Sequence, residues 1–440
     1  MEDAFYIQGG KQLNGQVTLS GAKNLALKVI IASLLFDSKV TLKNVPRIND
    51  VTELLHLISK LGAKTTWHDD HTLEIDPTTL TASDVDLLHA SKIRVSFLLF
   101  APLLHKFRSC RIPNPGGCRL GQRPIDRIVG GMEALGANVD YDSLSGYYSA
   151  ELKDDPKGSY TFPKPSHTGT ELLLMFAARG SHDIVLKNAA TEPEIDDLIV
   201  FLNGAGALIK RHGNDIHVKG VASLTQKKAF HITSDRNEAV TFALLGLASK
   251  GSVTVGPIDP KLLDTFIDVV KKTGSEVVTN NDHITFTYKD RIKPVDVTTM
   301  PHPGFMTDWQ PNWAVLMTQA DGESIVHETI FENRFAYVSQ LKKLGASIKF
   351  TDVHVSHPEK VYQFNYEAKR VYKQAIKVTG GKPLHGGVLK IADLRAGATL
   401  LIGALIASGE SVLLNASTLE RGYEDIVTKV SRLGGEIKRV

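Results

Sequence analysis

The chain has 440 residues, 42% of them hydrophobic and 22% charged, which is too long for one ordinary core and too apolar for disorder. Its 51 basic and 48 acidic residues leave a net charge of +3, a balance that does not predict nucleic-acid binding and fits local arginine clusters for a small anion better. Two cysteines make no disulfide framework, the 16 histidines are scattered, and neither cysteine lies in a CxxC pair, so no metal and no cofactor are expected. The acidic start Met1-Glu2-Asp3 is unlike a signal peptide and no apolar run reaches the roughly 18 residues that span a bilayer, so a soluble cytoplasmic protein is expected.

Residues 4–20 carry a strand pattern through Phe5, Ile7, Leu13, Val17 and Leu19, broken at Gly9-Gly10. Ser20-Gly21-Ala22-Lys23-Asn24 then opens a helix, Leu25–Leu35, that is apolar nearly all round and therefore buried. Lys23 and Asn24 stand at its start, where backbone N–H groups and the dipole favour an anion; a solvated lysine at a helix entrance fits as well. Ser91–Ser96 opens a second apolar helix running through Leu104, and Arg94 entering it needs a partner, either an internal carboxylate or a ligand phosphate.

Pro115-Gly116-Gly117-Cys118-Arg119-Leu120-Gly121-Gln122-Arg123-Pro124-Ile125-Asp126-Arg127 is the most unusual stretch. Three glycines bend or loosen the backbone, three arginines follow the thiol, and Pro124 suits the first turn of a helix whose buried face is Ile125, Ile128, Val129, Met132 and Leu135. A thiol on a glycine loop at a helix N-terminus, surrounded by positive charge, is activated. A flexible surface loop with a spare cysteine and solvated arginines reads the same residues blandly.

Phe162–Glu171, with Lys164, Ser166 and His167, forms a polar loop before the apolar helix Leu172–Ala178. Glu192 and Glu194 begin the next helix and read as caps, favoured by the dipole, before they read as catalysts. His231–Glu238 mirrors Leu19–Asn24, so the chain is expected to cross between domains near both points. Thr299–Gln310 places Asp308 just before a helix, as an N-cap or as a general base within reach of a hydroxyl. Arg334, Arg395 and Arg421 each stand at a strand-to-helix junction, as Arg123 does; either they converge on one cleft for a multiply charged substrate, or they are four solvated helix-start arginines.

One signature recurs: an amphipathic helix, a glycine stop, a short strand. Its glycines are Gly62, Gly136, Gly206, Gly274, Gly345 and Gly434, spaced 74, 70, 68, 71 and 89 residues apart. The unit starts also recur, in Val40–Asn44, Ile184–Asn188 and Ser411–Asn415. Six α/β units in two domains of three are expected, one over 22–232 and the other over 1–21 plus 233–440. The longer last spacing reads as an insertion within 353–387.

Taken together, Ser20–Asn24, Pro115–Cys118 with Gly121–Asp126, Pro301–Phe305 with Thr307-Asp308, Phe331–Phe335, Asp393–Arg395 and Arg421–Glu424 resemble, in order and over essentially the whole length, the enolpyruvyl transferases, and among them the UDP-N-acetylglucosamine 1-carboxyvinyltransferases. The resemblance implies two inside-out α/β barrels of three repeats each. It implies transfer of the enolpyruvyl group of phosphoenolpyruvate to the 3′-hydroxyl of the UDP-sugar with loss of phosphate, the first committed step of peptidoglycan synthesis and the target of fosfomycin. It makes Cys118 the proton donor on a closing loop and Asp308 the candidate base. Lys23, Asn24, Arg123 and Arg421 would hold phosphoenolpyruvate. Arg94, Arg123, Pro124, Ile125, Asp126, Arg127, Lys164, Ser166, His167, Asp308 and Ile330 map onto UDP-sugar contacts, with Arg334, Asp393 and Arg395 in support. The alternatives are the sister enzyme acting on shikimate 3-phosphate and a non-catalytic UDP-sugar-binding relative. The chain departs from the family pattern at Lys28 (usually proline), Thr168 (usually glycine), Thr191 (usually arginine), Asn237 and Val240.

Overall fold

The computed structural model describes residues 3–116 and 125–440. The chain divides into two compact units at Ser20/Gly21 and Thr233/Ser234, each with its own hydrophobic core. Among the described residues there are six small sheets, three in each unit. One sheet shows the plan: Phe230–His231, Val40–Lys43, Leu73–Asp76 and Lys64–Trp67 lie side by side in that order. Phe230 pairs parallel with Leu42, and Val40 pairs antiparallel with Ile75. Val40 and Leu42 point inward while Lys43 points out, the alternation that fixes register when one face of a sheet is buried.

The helices sort into two kinds because their sequences do. Arg236–Ala248 and Gln310–Thr318 are buried at every position, and Leu394–Ile406 is buried from Leu394 to Leu405. These three pack on one another in the centre of their unit. In the other unit Lys23–Ser33 and His167–Ala178 are the mostly buried helices, and Phe100–Phe107 packs against the second of them. A helix apolar all round has no face to give to water and ends up inside. The outer helices are amphipathic: in Asp264–Lys272 only Phe266, Ile267 and Val270 are buried. The six repeat glycines that follow the outer helices all adopt left-handed backbone, φ +87° to +107°, where a side chain would be strained.

A second device repeats. Asn44, Asn188 and Asn415 sit in left-handed backbone at the ends of their strands. Their side-chain amides donate to the carbonyls of Ile232, Phe162 and Ile391 at 2.9, 2.7 and 3.1 Å, pinning the neighbouring parallel strand each time.

Several expectations need correction. The second apolar helix is not continuous: Arg94–Leu99 is a 3-10 helix and the α-helix starts at Phe100. Pro102 lacks the N–H that would bond Leu98, so the tighter winding precedes it. The helix expected from Leu172 begins at His167, because Ser166 caps it by accepting from Gly169 N at 3.2 Å. Within 353–387, Ala375–Thr379 is a regular strand paired with Ser347–Phe350, so the surplus chain is the segment between those strands. That segment carries a ring cluster in which Tyr362 stacks on Phe364 and Tyr366. Among the described residues no helix is long and apolar enough to cross a membrane.

Candidate functional site

Asp308 is held between two arginines. Its Oδ1 accepts from Arg334 Nη2 at 2.9 Å and its Oδ2 from Arg395 Nε at 2.9 Å. The two guanidinium side chains are 3% and 7% exposed, but the carboxylate is 21% exposed, so it is the part of the trio most open to solvent. Burial alone would raise the Asp308 carboxyl; the Arg395 and Arg334 guanidiniums outweigh it and hold it well below the usual carboxylate range. Asp308 is not the helix cap: the capping position is Trp309, and no side chain caps the first turn. That bland reading is corrected.

Each arginine is itself fixed. Arg334 Nη1 donates to Thr307 Oγ1 at 2.6 Å, and Thr307 donates on to Glu328 Oε2 at 2.7 Å. Glu328 also accepts from the backbone N–H groups of Ile330 and Phe331 at 2.7 and 3.0 Å, so Ile330 spends its N–H inside the unit. Asp393 caps the helix Leu394–Ile406 through Arg395 N and Ala396 N, both at 3.0 Å, which sets where Arg395 starts. Arg395 Nη1 then donates to Tyr423 Oη at 3.2 Å. Tyr423 joins a buried chain through Thr241, Asn312 and Thr399, one residue from each central helix. Asn237 accepts from Trp309 Nε1 at 3.0 Å and so anchors the residue after Asp308. Arg421 lies half-buried in the turn that ends at Tyr423.

In the other unit, Lys23 is the first residue of its helix, and its Nζ lies 2.7 Å from Asp50 Oδ2. Both side chains are largely buried. Asp50 sits in the first turn of Asn49–Lys60, where the dipole favours an acid. Asn24 follows Lys23 and is half-buried. Arg94 opens its 3-10 helix with its guanidinium 6.0 Å from the Phe97 ring centroid, and burial lowers its pKa. Ile125 is the buried cap residue of the helix Asp126–Ala134; Asp126 is exposed, and the Arg127 carbonyl accepts from Tyr160 Oη at 2.9 Å.

Lys164, Ser166 and His167 lie together at the head of their helix. His167 Nε2 is 3.1 Å from Glu171 Oε1, and Lys28 Nζ is 3.3 Å from the same oxygen. Glu192 is not the expected cap: its side chain makes no capping bond and its Oε2 is buried without a hydrogen-bond partner. Its field falls on His167 instead. Cys118, Arg123 and Pro124 lie outside the described residues.

Sequence reasoning missed Asp50, Glu328, Tyr423 and Glu171. The i, i+4 spacing of His167 and Glu171 was the one available signal. It also passed over Glu53, His56 and His89, whose ligand atoms lie within 4.8 Å of one another; Lys92 Nζ already sits 3.0 and 3.1 Å from the two Glu53 oxygens.

The family model of EPSP synthase (3-phosphoshikimate 1-carboxyvinyltransferase) matches residues 7–430. A protein named UDP-N-acetylglucosamine 1-carboxyvinyltransferase from Desulfosudis oleivorans is 37% identical over 439 residues, covering 100% of this chain and 99% of that one. A protein of the same name from Halothermothrix orenii is 39% identical over 440 residues, covering 99% of each. Among solved structures, the enolpyruvyl transferase NikO from Streptomyces tendae superposes with a TM-score of 0.86 at 22% identity, over 99% of this chain and 98% of that one. EPSP synthase from Acinetobacter baumannii gives 0.74 at 18% identity, over 99% of each chain. With this fold and full-length matches to both the family model and its members, the chain belongs to the EPSP synthase family of enolpyruvyl transferases.

Proposed function

We propose that this protein transfers the enolpyruvyl group of phosphoenolpyruvate to the 3′-hydroxyl of UDP-N-acetylglucosamine, releasing phosphate, as the first committed step of peptidoglycan synthesis in the cytoplasm. The observation that carries the reading is the 37–39% identity, end to end, with proteins of that name.

In this reading the sugar oxygen bonds to the central carbon of phosphoenolpyruvate while Cys118 gives a proton to the methylene carbon. Removal of a proton from the resulting methyl group then expels phosphate and restores the double bond. Lys23, Asn24, Arg123 and Arg421 offset the phosphate and carboxylate charge of the donor. Arg94, Lys164, Ser166, His167 and the 123–127 run bind the nucleotide sugar, and Ile330 lies near it. Asp308 takes the hydroxyl proton. A carboxylate pinned by two guanidiniums is a weak base, but an alcohol oxygen turns acidic as it bonds to carbon, so a weak base suffices late in that step.

Phosphate release with phosphoenolpyruvate and one acceptor at a time tests the reading. UDP-N-acetylglucosamine alone is expected to support turnover. Release with shikimate 3-phosphate instead would identify the sister reaction, and UDP-sugar binding without phosphate release would identify a binding protein. The two cysteines provide a further check. Cys110 is buried, and burial, with Asp84 adding to it, pushes its thiol far above the usual range. Fosfomycin, a thiol-directed epoxide, is therefore expected to alkylate Cys118 and leave Cys110 untouched, as read by mass spectrometry of the two peptides.

A further inference from the structure

Most buried side-chain polar atoms without a hydrogen-bond partner, among the described residues, fall in one place: His167 Nε2, Glu171 Oε1 and Oε2, and Glu192 Oε2. Glu171 is fully buried, and its Oε1 faces His167 at 3.1 Å from its own helix and Lys28 at 3.3 Å from the helix Lys23–Ser33. Glu192, at the start of Pro193–Gly204, faces the same group. A buried carboxylate such as Glu171, with ion pairs but no hydrogen bond to either oxygen, contributes little stability and is costly to leave half-paired.

Lys28 and Glu171 are buried, whereas His167 reaches the surface. Its side chain is 24% exposed, at the first residue of a twelve-residue helix whose N–H groups and dipole already favour an anion, with Lys164 three residues before it. We propose that Glu171, with Lys28 as its second counter-charge, is a positioning residue that keeps His167 a permanent cation at the head of this helix, where it binds the diphosphate of the nucleotide substrate. The inference rests on the function proposed above for the identity of the anion. Burial works against the charged imidazole and Lys28 repels it, but Glu171 and Glu192 outweigh both and push His167 up to about 9. A histidine raised this far carries its charge through the neutral range, where a free one has mostly lost it.

The test uses the full chain and uridine 5′-diphosphate as the probe. The His167 ring is followed by NMR titration and binding by calorimetry at pH 6 and pH 8, in wild type, Glu171→Gln and His167→Gln. Wild-type His167 is expected to titrate near 9, and Glu171→Gln to lower it toward the ordinary imidazole range. Glu171→Gln is expected to bind the probe about 10- to 100-fold more weakly than wild type at pH 8, the size of one charge-assisted hydrogen bond, and to recover at pH 6, where the imidazole charges unaided. His167→Gln is expected to be weak at both pH values. Recovery at low pH separates this role from a structural one, which a lower pH does not repair. Titration of wild-type His167 near 6.5, or equal binding by the wild type and Glu171→Gln at pH 8, would overturn the inference. A raised His167 that loses its charge in Glu171→Gln, in a chain that binds no uridine diphosphate at all, would refute the diphosphate assignment and the nucleotide substrate with it, while leaving the charge relay standing.

Discussion

Asp308→Asn is expected to lower kcat by about 10²- to 10⁴-fold, the usual contribution of a positioned proton acceptor. The amide keeps the shape of the carboxylate but cannot take the hydroxyl proton. Asp308→Ala is expected to do more damage, because the almost fully buried Arg334 and Arg395 would lose their hydrogen-bond acceptors as well as their shared counter-charge. Breaking a buried pair from one side costs about 3–5 kcal/mol, so a lowered melting temperature should accompany the loss of activity in the alanine variant. The pH dependence has a definite sign. The Asp308 carboxyl is depressed in the folded state, so its stabilising effect is present above the usual carboxylate range and lost only on strong acidification. The stability gap between wild type and Asp308→Asn should therefore stay constant between about pH 5 and pH 9 and close only in stronger acid. Chemical denaturation across that range measures it. A gap that closes near neutrality would mean that the arginines do not hold the carboxylate as the structure has them.

Cys118→Ala is expected to reduce turnover by about 10⁴-fold, the upper end for a proton donor, because no other group is assigned to protonate the methylene carbon. Binding of UDP-N-acetylglucosamine, measured by calorimetry, should remain close to wild type, since the thiol is given no part in holding the sugar nucleotide. Cys118→Asp is expected to recover much of the activity, with a rate that rises as pH falls, because only the protonated carboxyl can donate. Wild-type turnover in the alanine variant would remove the thiol from the reaction.

The architecture was readable because its devices are local. A helix that must stop in left-handed backbone takes glycine, and six such glycines are spaced along the chain. A helix apolar on every side, such as Gln310–Thr318, declares that it is enclosed. The arginine-rich junctions were readable for the same reason, as residue types next to predicted helix starts. Their partners were not. Arg395 meets Asp308 across 87 residues and Arg334 meets it across 26, and nothing in either neighbourhood names the other. Lys23 and Asp50 are likewise joined only by the packing of two helices. Glu192 reads as a cap, and a cap was one of two readings of Asp308, because an acid before a helix usually is one; here the carboxylates turn toward buried cations or a charged imidazole instead. Pro102 was the overlooked local signal, since a proline three residues into a helix forbids the continuous run that the apolar pattern suggested.

The central claim is a transfer between two small molecules, and following the transferred carbon tests it most directly. Wild-type protein would be given isotopically labelled phosphoenolpyruvate and UDP-N-acetylglucosamine, and the products followed by NMR. The account predicts that the label appears in an enol ether on the 3′ oxygen of the sugar, with one phosphate freed for each ether formed. Label that stays in phosphoenolpyruvate, or phosphate released with no ether on the sugar, would contradict it.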